Sequence, residues 1–207
     1  MAPGERYDVL VDFSGIPEGS YLYLRNTKPI SPLLPDVMQF RIVSGSVPDY
    51  NPPNSLVDYS SVWPTHPTVD RCFVLHPTSL DGPLTIGGNR YDPNTAYLQV
   101  RRGTTERWTF TAITSHPMHI HLVQFKIDGV PAENLEYGWK DTFTITAGQR
   151  SITATFDGEP GIYMFHCHNL EHEDYDMMLQ YEICDDSTEH PCDEALLRKF
   201  VGFNELI

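Results

Sequence analysis

The stretch HCHNLEHEDYDMM, His166–Met178, decides how this 207-residue chain is read. It closes an alternating run that begins at Tyr163, and on an extended strand successive side chains point to opposite faces. His166 and His168 therefore share one face and Cys167 takes the other, so one strand is expected to feed two separate sites. A second group, HPMHIH at His116–His121, repeats the spacing, with His119 and His121 again two apart. Six of the nine histidines fall in these two groups, and burying so many imidazoles without partners costs about 1–3 kcal/mol apiece. A metal is the common way to meet that demand. His66, His76 and His190 lie outside the groups and read as ordinary polar residues.

On the sulfur side, Cys167, His172 five residues later and Met177 ten later offer a thiolate, an imidazole and a thioether from one loop. His116 can add a second imidazole from another strand, which makes the His₂Cys set with a weak axial Met expected of a blue copper centre. A methionine at this spacing also serves as core filler; that reading is preferred for Met178 and the ligand reading for Met177. On the other side His119, His121, His166 and His168 supply four converging imidazoles, which by themselves suffice for a single zinc or copper ion.

Outward from these motifs the chain reads as all-β. Short alternating runs rich in Val, Ile, Thr and aromatics occur at Tyr7 to Phe13, Met38 to Val43, Tyr97 to Val100, Arg107 to Ala112, Ile120 to Ile127 and Ser151 to Phe156, each closed by turn residues. One short helix is expected at Asp193 to Val201, where Glu194 comes early and Arg198 and Lys199 late, the order that suits the helix dipole. Prolines crowd the region between Thr27 and about Pro67 and remove ladder donors there. The expected division is strands belonging to a neighbouring domain at 1–26, a Pro-rich linker at 27–68, a complete β-sandwich or barrel at 69–183, and a tail at 184–207.

Charge and composition exclude other classes. Lys and Arg number 14 against 28 Asp and Glu, a net charge of −14, and no basic stripe exists to displace counterions from a phosphate backbone. Nucleic acid is not an expected partner. No apolar run reaches the roughly 18–20 residues of a membrane span, and the first residues show no basic patch followed by an apolar core.

At HPMHIH (His116–His121), YGWKDTF (Tyr137–Phe143) and HCHNLEHEDYDMM the chain resembles the multicopper oxidases, in particular the C-terminal cupredoxin domain of laccases and bilirubin oxidases of the bacterial spore-coat type. APGERYDVLVDFS, at Ala2–Ser14, is similar to the closing strands of that family's middle domain. The resemblance implies a cupredoxin-like Greek-key sandwich. It also implies four copper ions per complete enzyme: type 1 copper on His116, Cys167, His172 and Met177; type 2 copper with His119 as one ligand; and a type 3 pair with His121, His166 and His168. Electrons from a small phenolic, aromatic amine or bilirubin-like reductant would pass along His-Cys-His to dioxygen. Glu173 matches a glutamate that supplies protons for O–O cleavage.

In that family half of the trinuclear ligands come from two His-x-His motifs in the first domain, and no further His-x-His stands in this chain. N-terminal cupredoxin domains, on the same or another chain, are therefore the expected partner, and the isolated chain is expected to be inactive as an oxidase. The rival readings are a blue-copper domain that only carries electrons and a structural coat component. Cys184 and Cys192 close a nine-residue segment in which a disulfide is sterically easy. Such a bridge would suit an oxidising setting, favouring an extracellular, envelope or spore-coat location over the cytoplasm. That leaves Cys72, as a small hydrophobe or bonded to an absent part.

Overall fold

A computed structural model describes residues 1–27, 35–45, 62–77, 84–185 and 187–201. The chain divides into two compact units, Asp8–Val57 and a larger one made of Met1–Tyr7 with Asp58–Ile207. In the smaller unit β1 (Tyr21–Arg25) and β2 (Asp36–Arg41) pair antiparallel, Leu22 opposite Phe40, as a two-stranded sheet. The alternating run at Tyr7 to Phe13 is not a strand. Its pattern fits a pleat, but a strand also needs a neighbour to take its N–H and C=O groups, and none lies beside it among the described residues.

The larger unit is a two-sheet sandwich. Its strands are β3 (Val69–Pro77), β4 (Leu84–Ile86), β5 (Leu98–Arg101), β6 (Thr104–Ala112), β7 (His116–Ile120), β8 (Phe125–Ile127), β9 (Thr142–Ile145), β10 (Gly148–Phe156), β11 (Gly161–Cys167) and β12 (Met178–Cys184). One sheet runs β4-β3-β6-β10-β8 and the other β5-β12-β11-β7-β9. The β3/β6 and β5/β12 pairs are parallel and the remaining pairs antiparallel. This is the cupredoxin-like all-β architecture that the sequence motifs imply. The Ile120 to Ile127 run splits into β7 and β8 because Leu122 takes φ 70° and turns the chain.

Period-two alternation builds the core. On β6, Trp108, Phe110 and Ala112 point inward, and on β3, Phe73 and Leu75 do the same. Trp108 lies 5.2 Å from Phe165 and 5.6 Å from Tyr181, ring centre to ring centre, which ties the two sheets through aromatic contacts. Inside this apolar layer sits a buried ion pair: Arg71 Nε donates to Glu106 Oε2 at 2.7 Å and Nη2 to Oε1 at 2.9 Å. Trp108 Nε1 donates to the same carboxylate, while Arg71 also donates to the carbonyls of Gln99, Leu197 and Lys199. With so many of its hydrogen-bonding groups matched, the pair escapes the penalty of an isolated buried charge.

The C-terminal helix is shorter than its charge pattern predicts, with helical residues only at Glu194–Leu197, capped by Asp193 accepting from the Ala195 N–H. The carbonyls of Leu197 and Lys199 turn to Arg71, and Phe200 enters the left-handed region at φ 61°. A one-turn helix, α1 (Leu170–Asp174), lies within the histidine-rich motif. Five residues are too few to show a helical period. Cys184 and Cys192 form a disulfide with Cα atoms 5.1 Å apart.

Candidate metal centre

β11 lies between β7 and β12, and its register sets His166 opposite His119 and Cys167 opposite Met118. The strand ends at Cys167, but the His168 N–H still bonds Pro117 O at 2.7 Å, so the edge with β7 continues one residue further. The Cys167 N–H meanwhile bonds Met177 O at 3.0 Å, and the Met177 N–H bonds His172 O at 3.0 Å. Cys167, His172 and Met177 are thus held by a closed loop that includes α1.

On one side of β11, Cys167 Sγ is 3.7 Å from His116 Nδ1 and 3.5 Å from His172 Nδ1, and the two nitrogens are 3.2 Å apart. A point about 2 Å from all three atoms exists within that triangle, close to the length of a metal–imidazole bond. His116 and Cys167 are buried, and Met177 is fully buried in the same loop. Two imidazoles and a thiol, in a loop whose sequence also offers the Met177 thioether, are a soft donor set that fits copper.

Burial, helped by the nearby His172, lowers His116 to about 4, and burial also lowers His172. Both rings are then neutral near pH 7, the ligating form. Burial raises the Cys167 thiol to about 11 against a hydrogen bond from the Asn169 N–H, with Glu173 adding to the rise. A thiolate there needs a cation beside it.

On the opposite side, ligand atoms of His119, His121 and His166 gather within 4.8 Å of one another. His121 Nε2 and His166 Nε2 are 3.2 Å apart. The His168 ring centre lies 5.6 Å from that of His166 and 5.9 Å from that of His119, so it joins the group at its edge. The backbone fixes how two of these rings point. His119 Nδ1 donates to Asp141 O at 2.9 Å and His166 Nδ1 to Cys167 O at 3.1 Å. A carbonyl only accepts, so the hydrogen sits on Nδ1 and Nε2 keeps its lone pair. Glu173 Oε2 is 3.4 Å from His166 Nδ1, on the side of the ring away from His121. The donor chemistry of this group fits metal ions as well.

Several supporting residues carry no signal in the sequence. Thr114 Oγ1 is 2.9 Å from His116 Nε2, Asn169 Nδ2 is 3.4 Å from His172 Nδ1, and Thr142 Oγ1 is 3.1 Å from His119 Nδ1. Met1–Tyr7, grouped by the sequence pattern with the rest of 1–26, packs instead with the larger unit. Arg6 forks onto both carboxylate oxygens of Asp141, Glu5 accepts from Thr144 Oγ1, and Lys140 lies over the Tyr7 ring. Burial would raise Asp141, but hydrogen bonds from Arg6 and Thr142 outweigh it and hold the carboxyl below its ordinary value. Gly4, at φ 78°, lies so close to the His168 ring that a Cβ there would sit 2.5 Å from its Cδ2. Among the described residues no helix is long and apolar enough to cross a membrane.

Comparison with known proteins places these features in a wider set. A family model described as multicopper oxidase matches residues 47–187. A laccase of Bacillus subtilis (strain 168) is 34% identical over 222 residues, covering 89% of this chain and 42% of that protein. A bilirubin oxidase of Albifimbria verrucaria is 35% identical, covering 87% of this chain and 35% of that protein. The crystal structure of a multi-copper oxidase from Pediococcus acidilactici superposes with a TM-score of 0.71 at 26% identity, over 90% of this chain and 39% of that one. The chain spans well under half the length of these relatives.

Proposed function

This chain belongs to the multicopper oxidase family, and on that premise we propose that it is the C-terminal, substrate-facing part of a laccase-like oxidase. His116, Cys167, His172 and Met177 would hold type 1 copper, His119 a type 2 copper, and His121, His166 and His168 the type 3 pair. When bound, the four coppers of a complete enzyme supply one-electron oxidation of a phenolic, aromatic amine or bilirubin-like reductant and reduction of dioxygen to water. N-terminal cupredoxin domains, on the same or another chain, would complete the trinuclear group. Residues 69–183 are the cupredoxin domain in this reading.

The observation that carries the proposal is the division of labour on β11. Cys167 meets two imidazole nitrogens at 3.5 and 3.7 Å on one face, while His166 and His168 turn to His119 and His121 on the other. One peptide segment therefore joins both sites by covalent bonds. The chain's own residues prepare each side. Burial keeps His116 and His172 neutral, the Asp141 and Cys167 carbonyls aim the Nε2 atoms of His119 and His166, and Glu173 brings a carboxyl to His166 from which protons can be passed inward.

The test is to load the chain with Cu(II) and record copper content, visible absorption and oxygen uptake with a phenolic reductant, alone and after adding the N-terminal portion. One blue copper without uptake alone, rising to four with uptake, is the expected result. Zinc in preference to copper, or no metal under copper-replete conditions, overturns the proposal. One blue copper in both cases, without uptake, supports the electron-carrier reading instead.

A further inference from the structure

The turn between His172 and Met177 contains a residue in the left-handed region. Asp176 takes φ 75°, where the bonds that end α1, Asp176 N–H to Glu173 O and Met177 N–H to His172 O, place it. Two ties from a distant segment add to these. Arg90, 86 residues away in the chain, places both Nε and Nη2 at 2.8 Å from Asp176 Oδ2, and the Leu84 N–H bonds Tyr175 O at 2.8 Å. Arg90 is itself fixed, because its carbonyl accepts from the Tyr97 hydroxyl. The next residue after Asp176 is Met177, whose carbonyl takes the Cys167 N–H.

We infer that Arg90 is a positioning residue for Met177: by clamping Asp176 in the left-handed turn it fixes the backbone from which the thioether projects, one residue further on. This rests on the copper reading given above. An ion pair as exposed as this adds little to global stability, so its effect belongs to the turn it holds. Releasing the clamp loosens the turn that carries Met177 and would weaken the interaction of its thioether with the copper this site would hold, an interaction that tunes the reduction potential of such a centre.

The test uses the Cu(II)-loaded chain, read by visible absorption and by redox titration. Arg90→Ala and Asp176→Asn are each expected to raise the midpoint potential, the double variant no further than either alone, and Arg90→Lys to recover part of the shift. In a Met177→Leu background, Arg90→Ala should leave the potential where it was. Because Asn tolerates left-handed φ, Asp176→Asn probes the clamp even if Arg90→Ala folds poorly. An Arg90→Ala potential equal to that of the unmodified chain, or an equal shift in the Met177→Leu background, overturns the inference. Absence of a blue band from the unmodified chain sinks the copper reading itself, so the two failures are told apart.

Discussion

His116 Nδ1 and His172 Nδ1 stand 3.2 Å apart, closer to each other than either is to the Cys167 sulfur that completes the triangle. Two imidazolium rings could not share that space, and their neutrality leaves lone pairs turned toward one point. The far nitrogen of His116 meets Thr114 Oγ1 at 2.9 Å, which fixes the ring. Groups that orient a ligand imidazole typically affect metal affinity about 10–100-fold. Thr114→Val, which keeps the shape and removes the hydroxyl, should weaken Cu(II) binding by about tenfold, measured by competition with a chelator of known affinity. Unchanged affinity would mean that packing alone holds the ring.

Gly4 and His168 give a second test. A methyl group at Gly4 meets the imidazole at 2.5 Å and also strains a φ of 78°. Gly129, at φ 74° with nothing within 4 Å, isolates the strain. Gly129→Ala should cost about 1–2 kcal/mol and Gly4→Ala clearly more, with the His168 ring resonances displaced. Denaturant unfolding and NMR of the imidazole groups read the two effects; equal costs would show that the N-terminal segment simply lifts away.

The core ion pair is expected to be unforgiving. Arg71→Met leaves Glu106 buried and without its cation, and such a change costs about 3–5 kcal/mol. It also frees the Leu197 and Lys199 carbonyls. Chemical denaturation gives the cost. Adding Glu106→Gln should return a large part of it, and failure to do so would place the loss in the C-terminal contacts instead.

The disulfide closes a loop of sequence separation 8. Limiting the unfolded chain over so short a loop contributes about 2–3 kcal/mol. Replacing both Cys184 and Cys192 by Ser should lower stability by that amount and leave the blue absorption of a copper-loaded sample in place, since the bridge lies at the far end of β12 from Met178. A changed spectrum would reveal coupling along that strand.

Much of the site was legible in the sequence, because alternation on a strand is a local rule: knowing that His166, Cys167 and His168 are consecutive already separates sulfur from imidazoles. The all-β fold and its inward-facing β6 and β10 followed from the same period of two. Where the local pattern had no partner, as at Tyr7 to Phe13, it misled, since pairing is a property of two segments. The helix α1 was too short to leave a period, and the C-terminal helix stopped early because Arg71, far away in the chain, captured its carbonyls.

Residue types and spacing alone determined which side chains could serve as donors and on which face of one strand they lie. Only the tertiary structure decided what surrounds them: the 3.2 Å approach of His116 to His172, the forked pairing of Arg6 with Asp141, the nearness of Gly4 to His168, and the grip of Arg90 on Asp176. These contacts join residues tens of positions apart or more. Their energies depend on distances of a few ångströms set by how the sheets pack, and no local periodicity encodes such distances.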